Sequence, residues 1–179
     1  KNKSAEELEA VYERIVRKIY DSVKLPISVK FGSHITNPIA FANRLRGAGA
    51  KGVVMFNRFY EPDIDINNLK FTSAEVFSNP SDIRRSLRWV GIVSSNINID
   101  ISASTGVHDG EAAIKLLLAG AQTVQVASAI YKNGPEVIKD IVKAITVWMS
   151  GKAYKSIDRF RGEMSYKKIN NPAIYERAQ

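Results

Sequence analysis

The sequence predicts an α/β protein built on a parallel sheet. Short β-rich runs such as Ile27–Phe31 and Gly52–Phe56 alternate along the chain with segments of helical period. Start and stop signals bracket those helical segments. Strands alternating with helices imply parallel pairing through right-handed crossovers. With 179 residues, 45% of them hydrophobic and 25% charged, the chain reads as one domain over 1–179 with a real core.

The first helix opens at Ser4, where Ser4 and Glu7 form a capping box. Leu8, Val11, Ile15 and Ile19 recur at spacings of three and four, and the helix ends before Pro26. Ile27–Phe31 is the first strand. Asn37-Pro38 opens a helix through Arg46, and Gly47-Ala48-Gly49-Ala50 closes it. Gly52–Phe56 is the second strand, followed by a long irregular segment from Asn57 to Pro80. A helix over Ser81–Val93 leads to a strand over Ile97–Ser102 and a loop over Thr105–Asp109, with Asp109 as a helix N-cap. The helix Gly110–Leu118 ends at Ala119-Gly120-Ala121, and Thr123–Val126 is a fourth strand. A last long helix runs over Pro135–Met149, and the remainder reads as short turns over a surface. About four strands are too few for a closed (β/α)8 barrel, which takes about 250 residues. An open doubly wound sheet and part of a barrel both remain.

Composition narrows the chemistry. There is no cysteine, which excludes disulfides, thiolate metal sites and a cysteine nucleophile within these residues. No metal site is expected. No apolar run approaches the roughly 18 residues of a membrane span, and the charged first helix is unlike a signal peptide, so the expectation is a cytoplasmic protein without membrane contact. The formal net charge is +8. A basic tail, from about 151 to 179, sets seven basic residues between Lys152 and Arg177 against Asp158, Glu163 and Glu176. The rest of the surplus is scattered and no nucleic-acid-binding motif accompanies it, so no nucleic-acid partner is expected.

Two successive strand ends carry small residues: Ser102-Ala103-Ser104-Thr105-Gly106-Val107 and Val126-Ala127-Ser128-Ala129. Such loops let a phosphate approach backbone N–H groups, and in barrels the last two strand ends often hold one. Tight packing of strand against helix asks for the same residues.

These segments, with Leu118-Ala119-Gly120-Ala121 between them, resemble the FMN-phosphate region of dihydroorotate dehydrogenases. The likeness runs on through Gly134-Pro135 to Phe160-Arg161-Gly162. Upstream, Ile27–Lys30 resembles that family's strand five with its flavin-contacting lysine, and Val53–Asn57 is similar to the next strand with its substrate-contacting asparagine. The resemblance covers nearly the whole chain, in order, and implies the C-terminal half of a TIM (β/α)8 barrel of the FMN-linked oxidoreductase type, strands five to eight. It implies FMN as cofactor and oxidation of dihydroorotate to orotate, with hydride passing to flavin N5. It also implies roles: Lys30 beside the flavin N1 and O2 edge, Asn57 on the substrate ring, and Thr105, Gly106, Ala127 and Ser128 around the phosphate. The catalytic base of that family, a Cys or Ser, belongs to the first half of its barrel, so no residue here is assigned as the base.

The chain departs from the family in four places. Thr105-Gly106 stands for Gly-Gly, and Ala127-Ser128 for Gly-Thr or Gly-Ser. Phe71-Thr72-Ser73-Ala74-Glu75 takes the place of a glycine-rich loop, and Asn57–Asp63 is unlike the common sequence, which suggests a divergent branch. Other readings are an FMN enzyme for another dihydropyrimidine and a phosphate-ligand module without redox chemistry. For the lone residues the plain readings are a snorkelling lysine at Lys30, a turn residue at Asn57, solvated loop histidines at His34 and His108, and core or interface aromatics at Phe59, Tyr60, Trp89 and Trp148. Open strand edges lead to an expected oligomer, by self-association or by pairing with a first half-barrel. Because the resemblance puts the base and other flavin contacts in that first half, the isolated chain is expected to be inactive and the full-length protein active.

Overall fold

The computed structural model describes residues 2–73 and 75–176. In chain order the elements are α1 (Ala5–Ser22), β1 (Ser28–Gly32), α2 (Pro38–Gly47), β2 (Gly52–Asn57), β3 (Pro62–Asp65) and β4 (Lys70–Ser73). They continue with α3 (Ile83–Asn96), β5 (Asp100–Ala103), α4 (Gly110–Ala119), β6 (Thr123–Val124), α5 (Ser128–Asn133), α6 (Val137–Gly151) and α7 (Ala173–Glu176). Single 3-10 turns precede α3 at Pro80–Asp82 and follow α6 at Ile157–Arg159.

The caps read from sequence are in place. The Ser4 hydroxyl accepts from the Glu7 N–H, and the Glu7 carboxylate accepts from the Ser4 N–H at 2.7 Å. Asn37 and Asp109 accept from the N–H groups of Ala40 and Ala112 with their side chains. Gly120 ends α4 in the left-handed conformation at φ +114°.

The main sheet has the order β1-β2-β5-β6 and every pair is parallel. A doubly wound sheet reverses its strand order at a switch point. Here the order never reverses, and right-handed crossovers then put all the connecting helices on one face. That is the winding of a (β/α)8 barrel, and the chain forms part of one. Beneath the helices lie Phe31, Val53, Met55, Ile101 and Ala103, nearly inaccessible to solvent. The opposite face is largely polar: Lys30, Val54, Ser102 and Thr123 stand in one register row across the four strands.

The core joins the sheet to α1 and α2 through aromatic rings. Phe41 meets Tyr12 and Phe31 edge to face at 5.4 and 5.1 Å, and Phe31 meets Phe56 at 5.6 Å. The stripe expected to bury α1 turns out differently. Leu8, Ile15 and Ile19 are exposed, whereas Val16 is buried and Tyr12 packs on the core. The cause is position in the row of helices: α1 makes its extensive contact with α2. Arg44 on α2 binds both Glu9 and Glu13 of α1, which fixes that side as the contact.

The segment read as irregular from Asn57 to Pro80 contains an antiparallel hairpin, β3 with β4, in which Ile64 pairs with Phe71. Four-residue strands without an Asn-Gly turn leave little trace in a sequence. The hairpin turns on Asp65, whose Oδ1 accepts from the Asn67 and Asn68 N–H groups. The first part of the expected loop substitute, Phe71–Ser73, is strand β4, and Ala74 lies outside the described residues. Two strands depart from the expected bounds: β5 begins at Asp100 rather than Ile97, and β6 stops at Val124, with α5 following from Ser128.

The basic tail is tied back to the barrel layer. The N–H groups of Gly162, Met164 and Tyr166 donate to the carbonyls of Leu117, Leu118 and Gly91. Phe160 is fully buried against Trp148 and Tyr154.

Two outcomes follow. Phe41→Ala removes the ring at the centre of the aromatic group and is expected to cost about 3–5 kcal/mol in urea unfolding. The Asp65 carboxyl is held below the usual carboxylate range, chiefly by the Asn68 side-chain amide and then by the Asn68 backbone N–H. Its support of the hairpin is therefore present at neutral pH and lost as acidification protonates it. The Asn67 and Asn68 amide resonances, followed through an acid titration, should move together with a midpoint below that of an ordinary aspartate.

Candidate functional site

The loops at the carboxyl ends of the parallel strands converge on one side of the sheet, the place where ligands bind in such sheets. After β5, Thr105 and Gly106 take φ values of +82° and +78°. A Cβ on Gly106 would collide with the backbone of Asp82 and Ile83, so the loop lies directly on the start of α3. Two side chains lock it there: Thr105 Oγ1 donates to the Phe56 carbonyl at 3.0 Å, and the buried Ser86 donates to the Ser104 carbonyl at 2.6 Å.

Ser128, the first residue of α5, is joined to this loop through Ser78. The Ser78 N–H donates to Ser128 Oγ at 2.9 Å, and Ser78 Oγ lies 3.0 Å from His108 Nε2. Lys132 Nζ stands 3.4 Å from the Ser78 carbonyl. Ser78 is held by its own segment: Arg58 donates to the carbonyls of Glu75 and Val76, at 2.6 and 2.9 Å, and its Nε lies 3.6 Å from Asp82 Oδ2. The residue that reaches the strand-end loops from this segment is thus Ser78, not the stretch that begins at Phe71.

This arrangement suits a phosphate group. Among the described residues, the backbone N–H groups of Thr105, Gly106, Ala127 and Ser128 meet no protein acceptor. Because Ser128 Oγ already accepts from Ser78, its own proton is free to donate elsewhere. Ala127 itself is exposed at the N-terminal side of α5 and contributes backbone alone.

Beside it, a cleft of about 780 Å³ opens over the end of β2. Asn57, the last and exposed residue of β2, lines it together with Thr105, Ser33, Arg58 and the α3 residues Arg84, Arg85, Arg88 and Trp89. His34 and Phe59 also line it, their rings 5.1 Å apart. The structure thus brings Asn57 and Thr105 to one cleft and Ser128 to the adjoining cluster. Lys30 lines neither: it is exposed on the polar face of the sheet, in register with Val54. Sequence reasoning missed Ser78, Arg58 and the α3 arginines. The arginines had a visible signal, three at helical spacing over 84–88, whereas nothing local marks Ser78. Among the described residues, no group of three or more His, Asp or Glu is placed to hold a metal ion. No helix among them is long and apolar enough to cross a membrane.

A singly wound parallel sheet with its loops gathered at one mouth defines the chain as part of a (β/α)8 barrel. The dihydroorotate dehydrogenase family model matches residues 2–149. The chain is 30% identical over 153 residues to a protein named dihydroorotate dehydrogenase B (NAD(+)), catalytic subunit, from Methanothermobacter thermautotrophicus, covering 83% of this chain and 50% of that protein. Proteins of the same name from Alkaliphilus metalliredigens and Pyrococcus abyssi are 28% and 27% identical, over 85% and 86% of this chain and 51% and 52% of their own lengths. The chain belongs to the dihydroorotate dehydrogenase family. It spans about half the length of the curated relatives it matches.

Gly106→Ala tests the seat of the loop. A Cβ there meets both a positive φ and the Asp82–Ile83 backbone, and the expected loss is about 1–3 kcal/mol in thermal or urea unfolding. Ala127→Gly, at an exposed position that contributes only backbone, should change stability far less.

Proposed function

We propose that this chain supplies the cofactor-binding and part of the substrate-binding half of a flavin-dependent oxidoreductase that converts dihydroorotate to orotate. The observation that carries the reading is the pair of adjacent strand-end loops, bridged by Ser78, with four backbone N–H groups and the Ser128 hydroxyl open to an anion. Thr105, Gly106, Ala127 and Ser128 hold the phosphate of FMN, the N–H groups acting as charge-assisted donors. When bound, the flavin supplies the hydride acceptor, at N5.

Lys30 projects from the barrel-facing side of β1 and favours the negative charge that develops at the N1 and O2 edge of the ring. Asn57 offers a donor and an acceptor to the amide edge of the substrate ring. The proton-abstracting group comes from the first half of the barrel, in keeping with the half-length match to the relatives.

The chain acts as one unit, its basic tail serving as a brace. Its partner is a complementary half-barrel, in the same polypeptide or through self-association. The exposed Leu8, Ile15 and Ile19 of α1 and the unpaired edges of β1 and β6 support this. The compartment in this reading is the cytoplasm, and neither nucleic acid nor membrane takes part.

The test is the visible absorption spectrum of the purified full-length protein after addition of FMN and removal of the excess. About one retained flavin per chain is expected, bleached on anaerobic addition of dihydroorotate. Ser128→Ala should weaken FMN binding by about tenfold or more, the loss of one hydrogen bond to a charged group. Retained flavin that no dihydropyrimidine bleaches would leave a flavin protein of another specificity. An absence of saturable FMN binding would overturn the cofactor assignment.

A further inference from the structure

We propose that the groove on the outer helix layer, between α3, α4 and the basic tail, binds a single-chain amphiphile with a carboxylate head. None of Thr105, Gly106, Ala127 or Ser128 lines this groove, and no flavin is needed for it.

Shape is the first ground. The cavity measures about 510 Å³, within the range that holds small ligands. Leu87, Leu118, Ala119, Met164, Ile169 and Ile174 supply an apolar lining. The tail forms one wall and is pinned to both helices by polar bonds. The N–H groups of Met164 and Tyr166 donate to the carbonyls of Leu118 and Gly91, both at 2.9 Å. Arg88 Nε donates to the Tyr175 carbonyl at 2.6 Å, and the Tyr175 hydroxyl donates to the Met164 carbonyl. The Tyr175 ring lies on Gly91 of α3, where a Cβ would collide with it. With its wall so fixed, the groove stays open: Met164 and Ile174 remain exposed instead of closing on Leu87 and Leu118. An alkyl chain that fills a trough already held open gains the apolar burial without the cost of ordering it.

Charge is the second ground, and it selects the head. Arg84 and Arg88 of α3 and Lys115 of α4 stand around the groove, and among the described residues no carboxylate lines it. Lys115 pairs with Glu111 through two exposed side chains, a contact of little strength. Arg84 has no carboxylate partner among the described residues. Arg84 and Arg88, four residues apart, share one helix face as a like-charge pair. A carboxylate at this mouth relieves their repulsion and matches the planar fork of a guanidinium. Size decides between a small molecule and a protein. Ten of the described residues line the groove, well short of the roughly 20–30 that one side of a protein interface covers.

Calorimetric titration of the full-length protein with decanoate, decanol and decyltrimethylammonium tests this. Decanoate should bind saturably, one per chain, and about tenfold or more tightly than decanol, with the cation weaker still. Arg84→Gln with Lys115→Gln should remove the preference for decanoate over decanol. Because Arg84 also lines the cleft over β2, two variants confined to the groove fix the location. Met164→Trp, at a half-exposed position, fills the groove and should abolish decanoate binding. Ile174→Asp, at an exposed position, should weaken it by about tenfold, through repulsion of the head and loss of apolar contact. Thermal melts report the folding of each variant. Equal binding of decanoate and decanol overturns the proposal, as does decanoate binding that both groove variants leave unchanged. Displacement of bound flavin by decanoate also overturns it, because the ligand then sits at the cradle. So does reversible self-association that Met164→Trp removes, which makes the face an interface between copies. Flavin content is read separately, by absorbance, and protein without flavin is titrated in the same way, so failure of the cofactor reading leaves this test intact.

Discussion

The mouth of the sheet is assembled on one close approach, that of Gly106 to the peptide joining Asp82 and Ile83. Only a residue without a Cβ, at a positive φ, brings the loop after β5 so near the start of α3. Two bonds depend on that approach. Ser86 donates to the Ser104 carbonyl, and Thr105 donates to the carbonyl of Phe56 at the end of β2. Two successive βα units, β2–α3 and β5–α4, are thereby tied at their carboxyl ends. The start of α3 is fixed in turn, and with it both Arg84–Arg88 and Asp82, the carboxylate that anchors Arg58. Arg58 then sets the segment that carries Ser78 to Ser128 and His108. The cleft and the cradle are therefore mechanically one object, although they hold different chemistry.

Much of this was legible where local rules act alone. The capping residues Ser4, Asn37 and Asp109 and the left-handed Gly120 needed no tertiary knowledge, because each satisfies backbone groups within a few residues. The small residues at 104–106 and 127–128 were likewise readable. What the sequence did not disclose are contacts made across long separations. Ser78 meets Ser128 fifty residues away, and Arg85 meets Ser33 fifty-two residues away. A serine in an irregular stretch carries no sign of either partner. The α1 stripe misled for a related reason: amphipathic period reports that a face is apolar, and the neighbour that covers it is set by the order of helices.

The polar face of the sheet explains how half a barrel coheres. Opposite the helices, the row of Lys30, Val54, Ser102 and Thr123 presents three polar side chains in four. A layer of that composition carries little hydrophobic driving force of its own. The stable core instead lies between sheet and helices, in the group of Tyr12, Phe31, Phe41 and Phe56 and the aliphatic residues beside it. Exposed apolar side chains stand instead on α1, among them Leu8 and Ile15, and on the β3–β4 hairpin, among them Ile64, Leu69 and Phe71.

That division bears on where chemistry can be placed. The face opposite the helices carries Lys30 and the hydroxyls of Ser102 and Thr123, and the strand-end loops carry backbone N–H groups that meet no protein acceptor among the described residues. The arginines stand apart, on α3, where Arg84, Arg85 and Arg88 line the cleft over the end of β2. Positive charge therefore occurs in two separate layers of the fold, with Lys30 on the sheet face opposite the helices and the arginines on α3, and only the arginines border the cleft that Asn57 lines.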